Sequence, residues 1–174
     1  MPPSPVASLS EWHDYYILIA TVAVTIIGAM FVVASIASTY LTAASAAQGR
    51  RFLSPIVLHL STSVLGCAAV MVPNLAPLAF VILFGAGALG GLFYSCFITF
   101  RIRGSNLDLE DHVWYSVLPV IGYLVMLAAV ILVLVRGPWP LETLAGAVAI
   151  LLVTGIRNAW DLTLYFVTRE RRQG

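Results

Sequence analysis

The stretch GIRNAWDLTLYFVTRERR, residues 155 to 172, sets Arg157, Asn158 and Asp161 inside a run otherwise apolar enough to cross a membrane. A guanidinium and a carboxylate four residues apart on a helix bond directly along it. At about 100° per residue, Thr154, Arg157, Asn158, Asp161, Tyr165 and Thr168 fall within an arc of about 100°, so the polar groups share one face. A lone charge at membrane depth costs a few kcal/mol or more, which makes pairing a sufficient structural reason for both charges. Two chemistries fit these residue types. With His59 from another apolar run, Asn158 and Asp161 could line an inward-facing polar pocket that exchanges protons or coordinates a cation, Arg157 holding the carboxylate ionised. Alternatively, the same groups form a buried hydrogen-bond network that fixes which helices touch.

The elements that must position these residues follow from composition. The chain is 60% hydrophobic and 10% charged, too apolar to cover a water-facing surface of normal polarity, so lipid must solvate it. Five runs are uncharged or nearly so, at about 15–43, 53–72, 77–100, 113–135 and 141–168. Each reaches the roughly 20 helical residues that cross a hydrocarbon core about 30 Å thick. The fold expected is an all-α integral membrane bundle of five transmembrane helices forming a single domain over residues 1–174. Helix starts are marked by the capping-box spacing of Ser8 to Glu11 and by Pro77 and Pro140 in first turns. VPNLAP, QGRR, RIRGSNLDLEDH and RGPWP are the connections. Pro119 lies inside the fourth run, where it removes a backbone hydrogen bond and should kink the helix unless a neighbour satisfies the freed carbonyl.

Arginine placement predicts orientation. All nine basic residues are arginine; Arg50, Arg51, Arg101, Arg103, Arg169, Arg171 and Arg172 fall on one side of an alternating five-helix chain, and Arg136 on the other. The positive-inside bias then puts the N-terminus outside and the C-terminus in the cytoplasm, with the arginines meeting anionic membrane lipids. Trp12, Tyr15, Tyr16 and Trp139 would form an outer aromatic belt, and Trp114, Tyr115 and Tyr165 an inner one. The first run has no positively charged leader and reads as a retained helix. His59 and Asp161 each lie about two turns from inner-boundary arginines, in the cytoplasmic half. The acidic group Asp108, Glu110, Asp111 and His112 stands at that same boundary.

Other classes lack support. A net charge of +1 gives no electrostatic footprint for nucleic acid. No phosphate loop, GxSxG or HExxH is present, and no second intramembrane carboxylate partners Asp161, so no catalytic residue is assigned. No metal site or cofactor is expected. Cys67 and Cys96 differ in depth by roughly 13 Å at 1.5 Å per residue, beyond the reach of a disulfide, and no zinc spacing or CxxCH occurs. A bis-histidine haem has only His59 and His112 as ligands, and His112 sits at the water boundary.

Helix contacts in lipid need close backbone approach, which small residues permit. Thr21, Thr25, Gly28, Val32, Ser35, Thr39 and Thr42 form a narrow stripe on the first helix, and GAGALGG sets Gly87 and Gly91 in GxxxG spacing on the third. Both stripes suit packing within one bundle or a homo-oligomer seam.

EDHVWYSVLP followed by GIRNAWDLTLYF resembles the C-terminal part of a group of uncharacterised small bacterial multi-pass membrane proteins, with an acidic ED before a Trp-rich helix start and GI-His-NAWD in the last helix. Glu110, Asp111, Trp114, Pro119, Gly155, Asn158, Trp160 and Asp161 carry the resemblance over about the last third of the chain. Arg157 and Tyr115 stand where the pattern has histidines, removing two potential metal ligands and placing a cation that repels a metal. The resemblance implies a bacterial inner-membrane protein with a shared polar site and names no reaction. Two functions therefore compete: a small channel-like or transporter-like protein for protons, cations or a small solute, centred on Asp161, and a non-catalytic scaffold or accessory subunit whose ion pair is structural.

Overall fold

Long apolar segments leave the backbone no partner but itself in lipid, so helices are the expected solution, and every regular element described is helical. The computed structural model describes residues 5–38, 43–102 and 109–170, with side chains described over 12–36, 54–100 and 110–165. Helix α1 spans Pro5–Ser38, α2 Ala43–Val70 and α3 Pro77–Ile102. The fourth helix, α4, is composite: an α-helical turn at Leu109–His112, a π-helical turn at Val113–Val117 and an α-helix at Leu118–Leu134 run on without a break. Helix α5 spans Pro140–Glu170.

Among the described residues four segments are long and apolar enough to cross a membrane: Trp12–Ile36, Pro77–Phe100, Glu110–Leu134 and Pro140–Tyr165. They make the chain an all-α, multi-pass membrane protein. The apolar part of α2, Ser54–Val70, is shorter, because the turn after it begins at Met71 and the ten residues before Leu53 include Ser45, Gln48, Gly49, Arg50 and Arg51. The helix limits differ from the sequence expectation: α2 falls short of the fifth span expected, and of the connection RIRGSNLDLEDH the first two residues belong to α3 and Leu109–His112 to α4. QGRR belongs to α2 instead of a connection, and α1 begins at Pro5, upstream of the Ser8 to Glu11 spacing, which therefore does not start a helix. VPNLAP and RGPWP are turns as expected, with Asn74, Arg136 and Trp139 in the left-handed region. Arg103, Asp108, Arg171 and Arg172, and Thr39 and Thr42 of the α1 stripe, lie outside the described residues.

Contacts between named residues fix the relative directions. Tyr16 and Tyr15 donate hydroxyl protons to the carbonyls of Leu141 and Ala145, both at 2.8 Å, and Thr163 reaches Met30 Sδ at 3.9 Å. Thus α1 runs parallel to α5. Gly155 faces Leu60 and Gly66 faces Val148, so α2 runs antiparallel to α5. Glu110 meets Arg157, and Gly122 meets Leu151, which sets α4 antiparallel to α5 as well. Gly91 against Tyr123 and Gly85 against Val130 make α3 antiparallel to α4. The helices alternate in direction, with α5 packed against α1, α2 and α4, and α3 laid against α4.

Burial follows this arrangement. Leu144, Val148, Leu151, Tyr123, Met126, Ile56 and Leu60 form the centre of the core, whereas Leu78, Ile82, Phe93, Phe97 and Phe100 of α3 face outward, as a lipid-solvated edge helix requires. The two small-residue stripes separate. On α1, Thr21, Thr25, Gly28, Val32 and Ser35 are all exposed, and the hydroxyls of Thr25 and Ser35 bond to the carbonyls of Thr21 and Phe31 on their own helix. The described part of that stripe thus lies on an exposed face of α1. In GAGALGG, Gly91 is the notch that receives the Tyr123 ring, while a Cβ at Gly87 would meet nothing within 4 Å. The aromatic belts also differ from expectation. Trp139 is exposed, but Tyr16 is buried; along α1 the Tyr15 ring meets those of Trp12 and Tyr16 edge-on at 5.3 and 5.5 Å, and the two tyrosine hydroxyls tie α1 to the start of α5.

The glycine contrast is testable. Gly91→Ala should lower stability by about 1–3 kcal/mol through overpacking against Tyr123, while Gly87→Ala should leave it within about 0.5 kcal/mol of the parent. Thermal unfolding in detergent compares the two, and equal effects would contradict the assignment of the notch.

Candidate functional site

The site begins with a backbone defect. Pro119 has no N–H, so one carbonyl in the preceding turn must lose its helical donor. The π-helical turn decides which one: the Leu118 N–H reaches back five residues to the Val113 carbonyl, and in that register the next carbonyl, Trp114, would have to pair with residue 119. Asn158 on α5 supplies the missing donor, its Nδ2 lying 3.3 Å from the Trp114 oxygen. Proline and asparagine, 39 residues apart in sequence, are thus parts of one arrangement. A π turn absorbs the proline, and a side chain from the neighbouring helix satisfies the leftover acceptor.

Around this bond sits the ion cluster. Arg157 binds Asp161 one turn along its own helix and, through Nη2, Glu110 Oε1 of α4 at 2.9 Å. Its guanidinium also lies 5.8 Å from the centroid of the Trp114 ring, a cation–π contact. One cation therefore serves two carboxylates and an aromatic face, leaving the three charged groups with a net charge of −1 when both carboxylates are ionised. Side-chain exposure grades outward, from 26% at Asp161 and 32% at Arg157 to 68% at Glu110. Tyr115, half-buried, stands within electrostatic reach of Asp111 and Arg157. Inward of these charges, Asn158 and Thr154 are fully buried. Among the described residues Asn158 Oδ1 has no hydrogen-bond partner, which leaves one buried amide oxygen as an acceptor without a donor.

His59 belongs to a different level of the bundle. Its Nδ1 lies 3.0 Å from the Tyr123 hydroxyl, which is also 3.4 Å from Thr62 Oγ1. Thr62 gives its own proton to the Leu58 carbonyl at 2.8 Å, and Ser63 Oγ lies between the carbonyls of His59 and Val148 at 3.1 and 3.3 Å. A third polar group joins α3 to the π turn: Thr99 Oγ1 and Ser116 Oγ are 2.6 Å apart, with buried Ser95 Oγ unpaired nearby on α3.

The structure thus brings Arg157, Asn158, Asp161 and Glu110 into one cluster with Trp114. Asp111 and His112 are partly buried beside it at the start of α4, and Tyr165 packs against the core farther along α5. His59 is not part of this cluster; its bond goes to Tyr123. The Glu110–Arg157 bridge was missed because the two residues are 47 apart in sequence, and Tyr123 because a lone tyrosine in an apolar run reads as packing. A polar row on α2, with His59, Thr62 and Ser63 at spacings of three and four, is the one signal that pointed to a second polar level. Among the described residues no three His, Cys, Asp or Glu side chains are grouped to hold a metal ion, and Cys67 and Cys96 are free thiols. Comparison with protein-family models, with curated proteins and with solved structures returned no match.

Two expectations follow. Asp161→Asn should cost about 1–3 kcal/mol, between the ranges for exposed and buried pairs, whereas Glu110→Gln, at the exposed end, should cost less than about 1 kcal/mol. Thermal unfolding of both variants in detergent ranks them. Separately, Asn158→Ala should cost about 1–3 kcal/mol in the parent chain by stranding the Trp114 carbonyl, and less in a Pro119→Ala background, where residue 119 regains an N–H. A double-mutant cycle with a coupling near 1 kcal/mol is expected; strict additivity would break the proposed link between proline and asparagine.

Proposed function

We propose that this multi-pass membrane protein is a small channel-like or transporter-like protein that admits protons, a cation or a small solute at an inward-facing polar site centred on Asp161. The observation that carries this reading is the buried, unpaired Asn158 Oδ1, set behind a mouth in which two carboxylates share one guanidinium. An unpaired acceptor in the interior costs about 1–3 kcal/mol, and the three charged side chains described beside it, Arg157, Asp161 and Glu110, together carry a charge of −1 when both carboxylates are ionised. A positively charged or proton-donating guest relieves both. Exposure falls from Glu110 through Arg157 and Asp161 to buried Asn158, the order in which a guest arriving from water would meet them.

The arginine distribution favours a cytoplasmic position for this mouth, with the N-terminus outside, in a bacterial inner membrane. The exposed Thr21, Thr25, Gly28 and Ser35 stripe on α1 is the surface through which copies of the chain would associate, since Gly91 is already filled by Tyr123. One observation favours a second reading, a scaffold or accessory subunit: Arg157 engages Asp161, Glu110 and Trp114 together, as a clamp between α4 and α5 would.

Flux through proteoliposomes separates the readings. Under imposed proton, sodium or potassium gradients the unmodified protein should carry flux, and Asp161→Asn should abolish or retune it while size-exclusion behaviour in detergent stays the same. Silence of the unmodified protein under all three gradients would overturn transport and leave the clamp.

A further inference from the structure

We propose that the species carried is the proton, and that the His59–Tyr123 pair is the relay that takes it through the middle of the bundle; this rests on the transport reading above. Tyr123 is 13 residues from Glu110 and 11 from Leu134 in α4, about 20 and 17 Å along a helix axis, so the pair sits at mid-depth. His59, Tyr123 and Ser63 are essentially inaccessible there. A metal cation passing this level would have to exchange its hydration shell for protein oxygens, six or more for a hard divalent ion and a ring of carbonyls for potassium. The level offers three neutral hydroxyls, those of Tyr123, Thr62 and Ser63, and an imidazole. That set is too poor in oxygen to replace a hydration shell, but it suits hydrogen-bond hopping.

The hydrogen-bond pattern supports two proton arrangements. Thr62 spends its own proton on the Leu58 carbonyl, so toward Tyr123 it acts only as an acceptor. In one arrangement the Tyr123 O–H donates to His59 Nδ1. In the other, Nδ1 carries the proton and donates to the Tyr123 oxygen, while the phenol O–H turns to Thr62 Oγ1. A proton arriving on Nε2 in the second arrangement makes an imidazolium. Nδ1 then gives its proton to the Tyr123 oxygen as the phenol proton passes to Thr62 Oγ1, whose own proton leaves the Leu58 carbonyl for a water molecule. One proton enters, one leaves, and both side chains end neutral. A flip of the imidazole ring, which exchanges the positions of Nδ1 and Nε2, together with rotation of the Tyr123 and Thr62 O–H groups, resets the relay without returning the proton.

Buried polar groups continue from this level in both directions. Thr154, near the His59 level because Gly155 faces Leu60, and Asn158 one turn further along α5, lead to Asp161 and Glu110. Ser63 and then Cys67, each about one turn on along α2, lead the other way to Tyr15 and Tyr16, which lie in the electrostatic neighbourhood of Cys67, with exposed Glu142 at that end. Steps of about one helical turn, roughly 5–6 Å, are too long for a direct bond and of the size one bridging water spans.

Proteoliposomes enclosing a pH-sensitive dye, under a potassium diffusion potential set with valinomycin, test the assignment. The unmodified protein should acidify or alkalinise the lumen according to the sign of the potential, and more slowly in D2O. Tyr123→Phe keeps the ring in the Gly91 notch and removes only the hydroxyl; it should reduce proton flux at least tenfold. His59→Gln is the second variant should Tyr123→Phe fail to fold, with the same loss expected. Proton flux unchanged in a folded Tyr123→Phe or His59→Gln protein would overturn the relay. Sodium or potassium flux without proton flux would overturn the proton assignment while sparing the transport reading. Absence of any flux would overturn both.

Discussion

A bilayer offers no water to a stranded carbonyl, and that constraint organises the polar end of this bundle. Pro119 guarantees that one backbone acceptor in α4 loses its helical partner, and the π turn hands the loss to Trp114. Asn158 answers it from α5. Because the amide must point at that carbonyl, the rotation of α5 about its axis is set, and Arg157 and Asp161 come with it. Arg157 is then placed to meet Glu110 and to lie over Trp114, and the opposite face, with Val153, Ile156 and Trp160, turns outward. The ion cluster is therefore downstream of a hydrogen bond between uncharged groups, even though the charges dominate the sequence.

The class of fold was legible because it rests on composition and run length, which no tertiary contact can alter. Four apolar spans, the two turns and the polar face of α5 were readable in this way. The start of α2 was not, since QGRR and the alanines before it carry helix-compatible residues that also suit a connection. The bonds of Tyr15 and Tyr16 across to α5 were not legible, because a tyrosine's amphipathic outline suits both a lipid interface and a hydroxyl bonded inside the bundle; the carbonyls of Ala145 and Leu141 supply the second role.

Within the site, local pairs were legible and distant ones were not. Arg157 and Asp161 lie four residues apart, so helical geometry alone brings them together. The pairings Glu110 with Arg157, Asn158 with Trp114 and His59 with Tyr123 need the packing of three helices, and nothing in their spacing announces it. A kink was the expectation at Pro119, with a neighbour satisfying the freed carbonyl as the exception; the π turn and Asn158 supply that exception, and nothing in the spacing named the asparagine. Grouping His59 with Asp161 by depth along the chain placed both in one pocket, whereas the azimuth of α2 turns the imidazole toward α4.

Tyr123 occupies an unusual mechanical position. Its ring is seated in a hollow of α3 at Gly91, and its oxygen is held by α2 through His59 and Thr62. One side chain of α4 thereby pins the helices on both sides of it. Any twist of α4 must therefore carry α2 and α3 along or release the phenol from both at once.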